Sequence, residues 1–90
     1  MNDDSLFLIS YVNRAPNRFK ILKLFGENDV LTPSEVSRLT GIHINNVSNH
    51  LRDLRQNELI YLLNPHFKIG RLYKITDLGA DVLKLIASKK

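Results

Sequence analysis

Leu31 to Leu63, LTPSEVSRLTGIHINNVSNHLRDLRQNELIYLL, is the stretch on which the fold turns. Thr32 is a helix cap, Pro33 suits the first helical position because its φ is preset and no N–H is wasted, and Glu35 stands at capping-box spacing. A helix therefore begins here. Gly41 takes the left-handed conformation that ends it, and an apolar stripe restarts at Ile44 and runs to about Glu58. Two helices joined by a short turn containing glycine form a helix-turn-helix unit over residues 32–58.

In the second helix, Ile44, Val47, Leu51 and Leu54 fall on one stripe at about 100° per residue and are expected to face the core. The opposite arc holds Asn45, Asn46, Asn49, Arg52, Asp53 and Gln56, with Ser48 and His50 at its flanks. Asparagine is a mediocre helix former, and Glu or Lys is the default filler of a solvated face. Its amide offers a donor and an acceptor that match adenine N6 and N7 in the major groove, while arginine reaches guanine or phosphate. The pattern predicts a DNA recognition helix, with Asn45, Asn46 and Asn49 reading bases and Ser48, His50 and Arg52 on the backbone.

Ninety residues make one domain, and 43% apolar with 24% charged residues is an ordinary globular composition. Apolar runs such as Leu6 to Ile9 are too short for a membrane span or a signal-peptide core, so a cytoplasmic protein without a membrane partner is expected. With no cysteine there is neither a disulfide nor a thiolate metal site, and His43, His50 and His66 have no metal-ligand spacing. No carboxylate pair, base-activated nucleophile or glycine-rich phosphate loop is present, so neither catalysis, a cofactor, a metal nor a small-molecule ligand is expected. The net charge of +4 lies late in the chain: residues 61–90 carry six Lys/Arg against two Asp, a distribution suited to a polyanion.

Asn2, Asp3, Asp4 and Ser5 supply capping groups to an N-terminal helix over residues 1–14 whose Leu6, Phe7, Leu8, Ile9, Tyr11 and Val12 cover more than one face. One face packs on the domain; the other is either a dimer contact or covered by the same chain. After Ala15-Pro16 a helix is expected from about Asn17 to Gly26, with Phe19, Ile21, Leu22 and Phe25 inward and Arg18, Lys20 and Lys23 outward. Val30-Leu31 is a candidate short strand. In the first helix of the motif, Val36 and Leu39 are expected in the core, with Ser34 at backbone phosphate.

After Glu58 the period changes to two: LIYLLN and RLYKIT read as strands of a hairpin over residues 59–76, with Tyr73 and Ile75 on one face. Lys68 and Arg71 in its loop are placed to reach phosphates or a minor groove. Thr76-Asp77 caps a last helix over residues 77–88, with Leu78, Val82, Leu85 and Ile86 as its stripe and Leu83 widening it. Gly79 would let another helix come close. Leu6, Phe7, Ile9, Leu83 and Ile86 are the expected dimer contacts between the N- and C-terminal helices.

The runs NNVSNHLRDLRQNELI and GRLYKITDLG, within residues 15–86, resemble the winged helix-turn-helix transcription regulators of the ArsR/MarR-like group in archaea and bacteria. The resemblance implies a mainly α fold with a small β-hairpin, about five helices and a two- or three-stranded wing, and the chain length makes it one domain over residues 1–90. The resemblance also implies that the segment Asn45 to Gln56 enters the major groove and that the wing, Pro65 to Arg71, touches flanking backbone or minor groove. Two positions depart from the family: His43 stands where many relatives cap the recognition helix with Ser or Thr, and Asp53 falls near the middle of the presumed DNA face. The function expected is sequence-specific binding of double-stranded DNA by a small homodimeric regulator. The alternative is a winged-helix protein-interaction module without specific DNA binding.

Overall fold

The computed structural model describes residues 3–88, with side chains from Leu6 onward, so the expected caps at Asn2 to Ser5 and the tail Lys89-Lys90 lie outside the described side chains. Five helices, α1 (Asp3–Asn13), α2 (Pro16–Glu27), α3 (Pro33–Thr40), α4 (Ile44–Gln56) and α5 (Asp77–Ser88), surround a hairpin of β1 (Ile60–Leu62) and β2 (Tyr73–Ile75). The strands pair antiparallel, Ile60 with Ile75 and Leu62 with Tyr73. Leu31 adds a single bridge on the free side of β2, with Leu31 N donating to Tyr73 O at 3.0 Å and Tyr73 N to Leu31 O at 2.9 Å. The expected third strand is thus one residue long, and it ties the segment before α3 to the wing.

The helix starts follow local chemistry. At α3 the whole capping box forms: Glu35 N donates to Thr32 Oγ1 at 3.1 Å and Thr32 N to Glu35 Oε1 at 2.9 Å. These bonds from Thr32 hold the Glu35 carboxyl below its ordinary range. A depressed carboxylate contributes stability above its unfolded pKa and loses it as pH falls through the folded value. Replacing Thr32 with alanine is expected to cost about 1 kcal/mol in urea unfolding at neutral pH. A loss below about 0.3 kcal/mol would show that water replaces the cap. At α5, Thr76 Oγ1 accepts from Gly79 N at 2.9 Å while donating to the Glu58 and Leu59 carbonyls at 2.7 and 3.1 Å.

Three helical expectations are corrected. Gly26 does not end α2, which continues through Glu27, and a Cβ there would stand 2.7 Å from the tip of the Leu83 side chain. Leu39 is 48% exposed, and the inward position after Val36 is taken by Thr40, whose hydroxyl donates to Val36 O at 2.6 Å. Ile42, in the turn itself, supplies the apolar side chain that Leu39 does not. Gly79 admits the Leu59 carbonyl rather than another helix, since its Cβ would fall 2.2 Å from that oxygen.

The core runs from Leu8, Ile9 and Val12 of α1 through Ile21, Leu22 and Phe25 of α2 to Val47, Leu51 and Leu54 of α4 and Val82 and Ile86 of α5. α1 packs on both α2 and α5 within the protomer. Ile9 and Ile86, expected in a dimer contact, are therefore buried at home, at 5% and 4% exposure. Leu6 and Phe7 stay exposed, and Leu83 is half-buried against the core.

Candidate nucleic-acid interface

α4 ends in a Schellman motif: Leu59 N donates to Leu54 O and Glu58 N to Arg55 O, both at 3.0 Å, with Glu58 left-handed at φ 61°. Its start is capped by His43, whose Nδ1 accepts from Asn45 N at 3.2 Å, so this departure from the family pattern still satisfies the helix terminus.

Around the axis the α4 side chains sort into three arcs at about 100° per residue. Arg55, Ser48 and Arg52 border the buried stripe on the wing side. Together with Thr32, Pro33 and Ser34 at the start of α3, Lys68, Gly70 and Arg71 of the wing loop, and Ile44, Leu51 and Tyr73, they line a cleft of about 550 Å³. Four cationic side chains, Arg52, Arg55, Lys68 and Arg71, thus converge on one concavity. Ile44, expected in the core, is 38% exposed because as a first-turn residue it forms the cleft wall.

Asn45, Asn49 and Gln56 occupy the outward arc and are exposed. Asn49 Oδ1 accepts from Arg52 Nη2 at 3.2 Å, so an amide of the ridge and a cation of the cleft are held as a pair. Asn46 is exposed as well, on the far flank.

That far flank carries Asp53, Asn57 and His50, all three half-buried. Asp53 is half-buried and acts on Tyr11, whose hydroxyl burial pushes above its ordinary value, with Arg18 opposing and Asp53 adding to the rise. Asp53, expected near the middle of the presumed DNA face, is thus half-buried rather than fully exposed. Arg18, expected outward, lies with its guanidinium 3.8 Å from the Tyr11 ring centre and donates through Nη1 to the Tyr11 carbonyl. Lys20 Nζ donates to Thr40 O at 2.9 Å, placing a cation at the C-terminus of α3. His50, expected on phosphate, has its Nδ1 buried and does not line the cleft.

Of the expected backbone contacts, the cleft brings together Ser34, Ser48, Arg52, Lys68 and Arg71 and leaves out His50. Arg55 was not among them. A partial signal for it was available: Ser48, Arg52 and Arg55 stand at i, i+4 and i+7, one polar edge beside the apolar stripe.

A family model described as a helix-turn-helix domain matches residues 15–60. The chain belongs to the helix-turn-helix domain family. No curated protein sequence matches it. Among solved structures it is similar to TubR from Bacillus thuringiensis serovar israelensis, bound to 24 bp of tubC, at 15% identity and TM-score 0.83, covering 100% of this chain and 97% of that one. It is also similar to a mutant of MarR from E. coli complexed with operator DNA, at 23% identity and TM-score 0.76, covering 89% of this chain and 58% of MarR. An ArsR family transcriptional regulator matches at 16% identity and TM-score 0.66, covering 99% of this chain and 89% of that one. The fold of this helix-turn-helix protein is thus the winged helix of these regulators.

Among the described residues, no cluster of His, Cys, Asp and Glu has the makings of a metal site, and no helix is long and apolar enough to cross a membrane.

Proposed function

We propose that this protein is a transcription regulator that binds double-stranded DNA sequence-specifically as a homodimer in the cytoplasm. In this reading α4 enters the major groove, Asn45, Asn46 and Asn49 read base edges, and the wing meets flanking backbone or minor groove. The observation that carries it is the cleft in which Arg52, Arg55, Lys68 and Arg71 converge beside an exposed ridge of amides. Cations neutralise phosphates without regard to sequence, whereas asparagine amides distinguish base pairs. That TubR and MarR have this fold in structures with DNA supports the reading. The alternative, a module that binds only protein, draws on the modest net charge and on Asp53 at the presumed DNA face, and the half-burial of Asp53 weakens the second support.

The test separates the two kinds of contact. On duplexes selected from a random pool, Asn49→Ala is expected to lose about 1–3 kcal/mol of discrimination between selected and random sequence. Arg55→Ala is expected to weaken both alike and to flatten the salt slope by about 0.9. Equal losses on selected and random duplex for Asn49→Ala would end the base-reading assignment. Leu6 and Phe7 are the side chains we assign to the dimer contact. A solution mass that stays at 10.4 kDa at concentrations where DNA is bound would remove the dimer from the proposal.

A further inference from the structure

The wing loop ends in an apolar point. Ile69 is 90% exposed and Phe67 60%, and no large apolar side chain described is more exposed than Ile69. Isolated apolar side chains on a surface are common, but this pair is presented on a braced frame. Asn64 closes the base of the loop, its Nδ2 donating to Gly70 O at 3.0 Å and its Oδ1 accepting from Leu72 N at 2.8 Å. Arg71 Nε donates across the loop to Phe67 O at 3.1 Å, and Gly70 adopts the left-handed φ of 70° that reverses the chain behind Ile69.

The charge around the point identifies its partner class. Residues 59–76 contain Lys68, Arg71 and Lys74 and no Asp or Glu. Lys68, Gly70 and Arg71 belong to the wall of the cationic cleft, and Ile69 stands between Lys68 and Gly70 in the chain. Apolar side chains flanked by cations are how minor-groove proteins part stacked bases and kink a duplex.

Resting on the DNA-binding reading above, we propose that Ile69, backed by Phe67, is a wedge that enters the minor groove beside the recognised site and bends the DNA. Insertion unstacks a base step, favouring flexible pyrimidine–purine steps, and so adds sequence preference at a position that no polar group reads.

The test uses the full chain and a duplex of about 30 bp selected from a random pool, carrying a donor–acceptor pair at its ends and 2-aminopurine at each flanking step in turn. With the wild type, energy transfer is expected to report a bend of roughly 20–90°, and 2-aminopurine at one flanking step to brighten severalfold. Ile69→Ala is expected to abolish both signals while lowering affinity less than about tenfold. Ile69 is so exposed that its truncation leaves the core untouched. Signals that persist in Ile69→Ala, or an unbent duplex bound by the wild type, overturn the wedge and leave the DNA reading standing. A wild type that retains no duplex at low salt overturns both. Ile69-dependent sedimentation with phosphatidylglycerol vesicles, without 2-aminopurine brightening, overturns the wedge in favour of a lipid surface.

Discussion

Replacing Gly79 with alanine is expected to lower stability by about 3 kcal/mol, the upper end of the cost of overpacking. For a domain of this size that is a fall in Tm of at least about 12 °C. The added Cβ would stand 2.2 Å from Leu59 O, 3.1 Å from Leu59 C and 2.8 Å from Ile75 Cγ1. Two of those atoms are backbone and cannot be relieved by a rotamer change. The same carbonyl accepts from Thr76 N at 3.1 Å and from Thr76 Oγ1 at 3.1 Å, so moving it loosens the junction of α4, β1 and α5 together. Gly26→Ala is the control. Its Cβ would meet only the flexible tip of Leu83, and alanine is favoured over glycine in a helix, so a change within about 1 kcal/mol is expected. Thermal unfolding of the two variants checks the contrast; a Gly79→Ala change under about 1 kcal/mol would mean that the β1 junction yields.

The second large effect concerns the cleft. Changing Arg52, Arg55, Lys68 and Arg71 together to glutamine is expected to weaken DNA binding about a thousandfold at 0.1 M salt and to reduce the slope of log K against log salt by about 3 to 4. None of the four is buried, so the fold should survive, as circular dichroism would verify. Fluorescence anisotropy titrations at several salt concentrations measure both quantities. A variant with the parent's slope would place the phosphate contacts elsewhere on the molecule.

The features legible in the sequence are those fixed within a few residues of themselves. Thr32, Pro33 and Glu35 specify a helix start wherever they occur, and Gly41 adopts the left-handed φ of 75° that its position in the turn requires. Val47, Leu51 and Leu54 are buried as their spacing demands, and Tyr73 turns inward as a period of two requires. Long-range partners account for what was missed. A glycine at the end of an apolar helical run reads as a stop, yet α2 continues through Glu27 where α5 packs beside it. Period alone also sends Leu39 inward, because it has no knowledge that the chain leaves the helix at Thr40 and swings Ile42 into the vacated place. Asp53 and Asn49 are neighbours on a helical wheel, yet the first is half-buried and the second is exposed and paired with Arg52. The spacing of Arg55 from Ser48 marks the edge it stands on, but it joins the cleft only because the wing folds back beside it.

The Asn64 clasp has a consequence for how this protein could diversify. With both ends of the loop stitched by one amide, the intervening residues are mechanically insulated from the sheet beneath them. Such tips are interchangeable parts: substitutions or grafts at residues 66–69 should alter what the hairpin touches while leaving the scaffold's melting behaviour intact, so new target preferences can be acquired without renegotiating the architecture that presents them.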